Sequence, residues 1–140
     1  MQAASRKKTV AFDYTAARCN IAEKDRIRRE KNAELFSQAT RECAAINEMI
    51  KAHYNPKRIY QWGSLLDQKM FNELSDIDIA VEGLGSAEKF FALYGEAEKL
   101  TSFSLDLVEL EKINSVDAES IRKKGKIIYE RQQRPTGSAG

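Results

Sequence analysis

Three acidic side chains carry the clearest chemistry in this sequence. Asp76 and Asp78 are separated by one residue in an apolar segment. Because side chains alternate along a strand, both would leave the same face, with their backbones roughly 6.5 to 7 Å apart. Asp106 lies in another strand-like segment, opposite its leucine neighbours. Neighbouring carboxylates repel each other unless a cation lies between them, so the acids predict a site for a divalent ion such as Mg²⁺.

A glycine-serine pair, Gly63-Ser64, lies upstream of these acids at the end of a strand-like segment. Glycine lets the backbone approach a phosphate closely, and the serine hydroxyl and amide can donate hydrogen bonds to phosphate oxygens. Alone, the pair would be read as an ordinary turn, and the acids as a strand edge that faces water. Their occurrence together favours metal-assisted chemistry on a phosphate.

The order of Gly63-Ser64, a spacer, Asp76 and Asp78, and a later strand with Asp106 resembles the nucleotidyltransferase superfamily of the DNA polymerase β type. The closest resemblance is to its minimal nucleotidyltransferase members, which also end with a short helix, a glycine and a last strand, as residues 120–130 do. It implies an α/β fold, a small mixed β-sheet flanked by helices and similar to the polymerase β palm, with an N-terminal helical extension.

The resemblance also implies an activity, the Mg²⁺-dependent transfer of a nucleoside monophosphate, AMP from ATP, to a hydroxyl. Asp76 and Asp78 would hold two Mg²⁺ ions, while Asp106 would hold one of them and help to deprotonate the hydroxyl. Gly63 and Ser64 would bind the phosphates. The neighbouring Trp62 is expected to be a packing residue and not a platform for adenine.

The acceptor implied by the resemblance is a protein. Family members of this size are often antitoxins that adenylylate a small helical HEPN-type toxin, so a HEPN-type partner is expected. A small-molecule acceptor such as an antibiotic is less favoured, because no second substrate domain is expected in 140 residues. A different class of alternative is a catalytically weak or inactive domain that binds its partner without catalysis.

The connector between the two halves of the motif departs from the family pattern. Minimal members have a basic residue soon after the serine, then a glycine, and a slightly shorter spacer. Here the eleven residues 65–75 contain no glycine and begin with two leucines and an aspartate. Lys69 is the only basic residue of this connector. It is predicted to contact the nucleotide, with a solvated lysine as the alternative.

Periodicity and capping residues place the elements that would position these groups. A long helix is predicted from a capping box at Asn20 and Glu23 to the break at Asn55-Pro56, and its second half is amphipathic and should pack on the sheet. Strands are predicted near 57–62, 76–81, 103–110 and 126–130. Further helices are predicted to begin at Ser86 and at Asn114 or Ser115.

Three segments are predicted: a tail and basic helical extension over residues 1–35, the nucleotidyltransferase domain over 36–131, and a disordered tail over 132–140. Residues 1–12 are expected to be mobile. Residues 1–35 hold nine basic and five acidic side chains. Such an arm is a solvated extension, a contact for a partner or for a second copy of the chain, or, less favoured, a contact for RNA.

Composition sets the remaining expectations. The 23 basic and 21 acidic residues nearly cancel, so nucleic acid is not expected as a direct ligand. Cys19 and Cys43 have neither metal-ligand spacing nor a secretory context, which predicts reduced thiols. No apolar run approaches the roughly 20 residues that cross a bilayer, and a cytoplasmic location is expected.

Overall fold

The computed structural model describes residues 13–132. In chain order its elements are α1 (Tyr14–His53), β1 (Arg58–Trp62), β2 (Ile77–Glu82), α2 (Ala87–Glu98), β3 (Leu105–Glu109), α3 (Ser115–Lys124) and β4 (Lys126–Glu130). Two 3₁₀ turns, Gly63–Leu66 and Gln68–Met70, occupy the connector between β1 and β2. The predicted mobile tail over residues 1–12 and the predicted tail after residue 132 lie outside the described residues.

The four strands form one mixed sheet with the order β3-β2-β1-β4. β1 pairs antiparallel with β2 and β4, whereas β2 and β3 are parallel. A parallel pair needs a long crossover connection, and α2 lies in this one. The structure confirms the predicted fold class, a small mixed sheet flanked by helices.

The two faces of the sheet have different cores. The larger cluster joins α1 and α2 to one face and includes Ile46, Ile59, Ile79 and Leu93. The smaller cluster joins α3 to the other face and consists of Tyr60, Ala80, Leu110, Ala118 and Ile121. Because residues two apart on a strand share a face, Asp78 lies on the α3 face with Ala80.

Helix α1 begins earlier than predicted. Its first residue is Tyr14 instead of a residue near Asn20, because Asp13 supplies the cap: the Asp13 carboxylate accepts a hydrogen bond of 3.0 Å from the Ala16 N–H. Asn20 lies within the helix, since no residue between Tyr14 and Asn20 breaks it. The capping box was therefore the wrong start signal.

The end of α1 and the starts of α2 and α3 agree with the sequence. Asn55 adopts a left-handed conformation with φ of 43° and donates its N–H to the Ile50 carbonyl at 3.0 Å, which ends α1 just before the proline. The Ser86 hydroxyl caps α2 by accepting the Lys89 N–H at 3.2 Å. Asn114 caps α3 in the same manner.

The described residues divide into two compact units between Asn32 and Ala33. In the first unit, Arg26 pairs with Glu23 and with Glu30, the latter at 2.7 Å, along the helix surface. Three large apolar side chains of this unit are between 51% and 68% exposed: Tyr14, Ile21 and Ile27. The boundaries 35/36 and 131/132 remain predictions.

Two further expectations concern the thiols and the bilayer. Cys19 is exposed, Cys43 is buried, and both are free cysteines. Burial raises the pKa of the Cys43 thiol to about 11; the hydrogen bond with Asn47 lowers this pKa, and the charge of Asp78 makes a smaller contribution that raises it. Within residues 13–132, each helix lacks either the length or the apolar character that a bilayer crossing requires.

Candidate active site

Asp78 lies between two partners that the strand register fixes. Its Cα pairs with that of Asp106 on β3 and with that of Trp62 on β1, and side chains of paired residues share a face. The register is held because Ile77 and Ile79 are fully buried on the opposite face. A slip of one residue would place the acid in the larger core cluster.

The acids interact strongly. Asp78 is only 8% exposed, and this burial, followed by the charges of Asp106 and Asp76, raises its pKa to about 7. Burial and the charge of Asp76 also raise the pKa of Asp106. No basic side chain in residues 13–132 offsets these effects on either group. The structure therefore brings together the three acids that the sequence singled out.

This donor set fits a magnesium ion. Carboxylate oxygens are the ligands that Mg²⁺ prefers, and a bound cation would relieve the repulsion between Asp78 and Asp106. No three His, Cys, Asp or Glu side chains in residues 13–132 converge as a ready-made metal cage. Mg²⁺ commonly takes one or two carboxylates and completes its coordination with water and substrate phosphates.

Gly63 lies directly against the Asp78 carboxylate. Its φ of 79° is in the left-handed region, and a Cβ at this position would come within 2.0 Å of the Asp78 Oδ2 atom. Both observations require glycine. Ser64 follows it in the first 3₁₀ turn, half-buried, with its carbonyl accepting the Asp67 N–H at 3.1 Å. The predicted glycine-serine pair thus lies at the acids.

Lys69 lies on the second 3₁₀ turn. Its side chain is exposed, and its backbone N–H donates to the Asp67 carboxylate at 3.0 Å. It is not among the charges that act on Asp78 or Asp106. Its contact with a nucleotide remains a prediction.

The unusual connector is fixed by two apolar anchors. Leu65 and Phe71 are 3% and 1% exposed. The Phe71 ring meets those of Phe36 and Phe103 edge-on, with centroids 5.8 and 6.0 Å apart. No sequence pattern marks Phe71 as a core residue, because the connector lacks a helical or strand period. One of the two leucines that replace the family's basic residue therefore has a packing role.

A cleft of about 430 Å³ adjoins Asp106 on the α3 face of the sheet. We call it the α3 cleft; its lining includes Trp62, Asp106, Val108, Asp117, Ser120 and Ile121. Trp62 also packs partly against the smaller core cluster, as predicted. Asp117 and Ser120 line this cleft but were not among the predicted site residues. The pattern that could have indicated them is their spacing of three residues on the helix after the Asp106 strand.

An ion-pair network joins α3 to the strands. Glu82 on β2 accepts from Arg58 of β1 at 2.8 Å and from Arg122 of α3 at 2.9 Å. Burial raises the pKa of Glu82, but the two guanidinium groups outweigh burial and hold it below its ordinary value. Arg58 also pairs with Glu130 on β4. The network fixes the helix that forms one wall of the α3 cleft.

Comparison with known proteins identifies a family model and solved structures that are similar to this chain. The family model "Polymerase beta, Nucleotidyltransferase" matches residues 44–134. No curated protein sequence matches the chain. A solved structure described as a toxin-antitoxin with AMP-PNP contains a similar chain, with 25% identity, a TM-score of 0.51, and coverage of 63% of this chain and 73% of that one.

Two other solved structures are similar at lower TM-scores. One, the toxin-antitoxin MntA-HepT, has 22% identity and a TM-score of 0.49, and the match covers 66% of this chain and 73% of the other. The second is a tri-AMPylated Shewanella oneidensis HEPN toxin in complex with MNT antitoxin, with 25% identity, a TM-score of 0.47, and coverage of 64% and 73%. The family model spans more than half of the chain, and the chain therefore belongs to the polymerase beta nucleotidyltransferase family.

Proposed function

We propose that this chain transfers AMP from ATP to a hydroxyl group on a helical protein partner of the HEPN type, and thereby acts as an antitoxin. The observation that carries the proposal is the direct pairing of Asp78 with Asp106, with the Gly63 backbone against the Asp78 carboxylate. A pair of acids suited to a metal ion beside a backbone that can approach a phosphate supports the proposal.

The proposed reaction forms one bond and breaks one. The acceptor oxygen bonds to the α-phosphorus of ATP, the bond from that phosphorus to the bridging oxygen breaks, and pyrophosphate leaves. Asp106, whose pKa is raised by burial and by Asp76, takes the proton of the hydroxyl. Gly63 and Ser64 hold the phosphates. Asp76, Asp78 and Asp106 would hold Mg²⁺, which when bound neutralises the charge of the triphosphate and polarises the phosphoryl oxygens.

The support for a protein acceptor comes from similarity. The solved structure with 25% identity and a TM-score of 0.51 is a toxin-antitoxin with AMP-PNP, which combines a partner protein and an ATP analogue in one assembly. Three residues that correspond in type and order to the family motif, Gly63, Asp78 and Asp106, lie next to one another. A nucleotide-dependent action on a partner protein accounts for both facts.

A labelled-transfer experiment tests the proposal. The chain is incubated with Mg²⁺, a HEPN-type protein and ATP labelled at either the α- or the γ-phosphate. Label should reach the partner only from the α position, and the Asp78→Asn variant should transfer none. Transfer from the γ position would indicate a kinase reaction instead. Partner binding without transfer of either label would favour the inactive binding module.

We also propose that the N-terminal arm, residues 13–32, is an association surface for the partner or for a second copy of the chain. Three large apolar side chains of this unit are half exposed or more: Tyr14, Ile21 and Ile27. A helix gains little stability from propensity alone, so an arm of this length is best explained by a packing contact with another chain.

A further inference from the structure

Helix α3 lies over the face of the sheet that carries the acids, and two of its sides have different surroundings. On one side the Arg122 guanidinium donates to the Glu82 carboxylate at 2.9 Å, at the end of β2 that is remote from the acids. On another side Asp117 and Ser120 line the α3 cleft. These contacts fix the rotation of the helix about its axis, and with it the side from which each remaining side chain leaves.

Lys124, the last residue of α3, belongs to the side that faces the α3 cleft. It follows Ser120 by four residues and Asp117 by seven, and steps of four and seven return to the same side of a helix. It follows Arg122 by two residues, a step of about 200° that leads to the opposite side. The Lys124 side chain therefore leaves α3 toward the cleft and away from the ion-pair network.

The end of α3 is close to the level of the acids. The residue after Lys124, Gly125, approaches β1 so closely that a Cβ on it would lie 3.2 Å from the Gln61 carbonyl oxygen. Gln61 is followed in β1 by Trp62, whose Cα pairs with that of Asp78, and Trp62 also lines the α3 cleft. A side chain that leaves this last turn toward the cleft is therefore beside the proposed nucleotide site.

The charge of Lys124 is not taken up by another side chain that the structure describes. Within residues 13–132 its ammonium forms no hydrogen bond or ion pair, and it is not among the charges that act on Asp78 or Asp106. Strands β2 and β3, which carry these two acids, contain no basic residue. A positive charge at the end of α3 is therefore available to a ligand.

We propose that Lys124 binds a phosphate group of the nucleotide at the acids, an inference that rests on the proposed function. The acids suit the metal ion, but they repel the phosphates of the nucleotide. Lysine binds phosphate as a point charge on a flexible four-carbon stem. The Lys124 ammonium thus supplies the positive charge that the acid-bearing strands lack.

Two neighbouring lysines provide matched controls. Lys123 is in the same turn of α3 but pairs with Glu119 at 3.6 Å along the exposed surface of the helix. Lys126 pairs with Gln61, whose side chain accepts a hydrogen bond of 3.7 Å from Cys43 in the larger core cluster. Because paired residues share a face, Lys126 is on the face opposite to the acids. Each control removes the same charge as the Lys124 variant does.

Calorimetric titration with Mg²⁺-ATP and with Mg²⁺-tripolyphosphate, which has no ribose or base, tests the contact. Lys124→Gln should weaken both ligands by roughly tenfold, the effect of one hydrogen bond to a charged group, and added salt should reduce this difference from the parent. Lys124→Arg keeps the charge and should bind within roughly threefold of the parent. Lys123→Gln and Lys126→Gln should bind as the parent does. All four variants should unfold at the temperature of the parent, because the three lysines are exposed.

The outcomes separate this inference from the proposed function. Any of four results would overturn the phosphate contact and leave the transferase proposal standing: parent-like binding by Lys124→Gln, equal weakening by Lys123→Gln, an equal loss in Lys124→Arg, or weakening of ATP without weakening of tripolyphosphate. If the parent binds neither ligand in the presence of Mg²⁺, the proposed function fails and this inference fails with it.

Discussion

The α-carbon of Gly63 lies so close to Asp78 that a Cβ attached to it would come within 2.0 Å of the carboxylate Oδ2 atom. The turn that is proposed to bind phosphate is therefore in van der Waals contact with the acid that is proposed to bind metal. A substitution at either residue should therefore change the position of the other.

Gly63→Ala tests this contact. The left-handed backbone alone should cost about 1 to 2 kcal/mol of unfolding free energy with a Cβ present, and Asp78 must also move, so Mg²⁺-dependent ATP binding should be lost. Gly95→Ala is the matched control, because a Cβ at Gly95 meets no heavy atom within 4 Å and should stabilise α2 by about 1 kcal/mol. Calorimetry and chemical denaturation measure both effects. Normal ATP binding by Gly63→Ala would contradict the contact.

Asp78→Asn should abolish transfer and, without metal, stabilise the protein at neutral pH. Burial and the other acids raise the pKa of Asp78 to about 7 from an ordinary value of 3.8, so the folded state holds a proton that the unfolded chain releases. Stability of the parent therefore falls as pH rises from about 4 to about 7. Asparagine lacks this penalty, which amounts to a few kcal/mol at about 1.4 kcal/mol for each pKa unit.

Denaturation in EDTA across this pH range measures the difference between the two proteins. It should be near zero at about pH 4 and largest above about pH 7. Added Mg²⁺ should stabilise the parent and leave Asp78→Asn unchanged, because only the parent keeps the carboxylate. If the variant is less stable than the parent at neutral pH in EDTA, burial and the neighbouring acids do not destabilise the charged Asp78 carboxylate as expected.

Ser64→Ala removes a hydroxyl but keeps the backbone amide. Affinity for Mg²⁺-ATP should fall by about 0.5 to 1.5 kcal/mol, or up to about 3 kcal/mol if the acceptor is a charged phosphate oxygen. Ser75→Ala is the control, because the Ser75 hydroxyl accepts the Asn72 N–H at 3.0 Å within the connector and should affect folding only. Titration calorimetry distinguishes the two. Unfolding of Ser64→Ala would indicate a structural serine.

Glu82→Gln should lower stability by about 1 to 3 kcal/mol, because the Arg58 and Arg122 guanidinium groups lose their shared charged acceptor. The pKa of Glu82 lies below its ordinary value, so its contribution is present above about pH 4.5 and is lost as pH falls below that value. Glu119→Gln breaks the exposed pair with Lys123 and should cost less than about 0.5 kcal/mol. If both variants lose the same unfolding free energy at pH 7, the network stabilises the protein no more than an exposed ion pair does.

Deletion of residues 1–32 should leave the thermal unfolding of residues 33–140 nearly unchanged and weaken association with the partner or with a second copy. Residues 1–35 carry nine basic and five acidic side chains, so high salt should weaken the charged part of the contact and leave its apolar part in place. Sedimentation of the full and the shortened chain, at low and high salt, measures the change. Identical association states at low salt would leave the arm as a solvated extension.

The acids were predictable because strand alternation is a strong local rule. Ile77 and Ile79 identify the buried face, so Asp78 had to take the other one. That Asp106 is its direct partner follows from the parallel register of β2 and β3, which no pattern within either strand sets. The face that Asp78 occupies was therefore within reach of the sequence, whereas its direct pairing with Asp106 was not.

Other features were not predictable from local patterns. Phe71 is almost fully buried, yet it stands in a connector with no period, so only its contact with two other rings marks it as core. Leu100 fits the helical period of α2 but is 39% exposed, because α2 ends at Glu98. Asp117 and Ser120 could not be recognised from the sequence, because it is the position of α3 in the fold that makes them line the α3 cleft.

The order β3-β2-β1-β4 divides the proposed catalytic residues between the two halves of the chain. The first half contributes the central hairpin of β1 and β2 with Gly63, Ser64, Asp76 and Asp78, while the second half contributes both outer strands and Asp106. Neither half contains a whole site. A backbone break in the turn at Gly83–Gly85 would yield two fragments that are each inert, and recovery of nucleotide binding on mixing would report their reassembly.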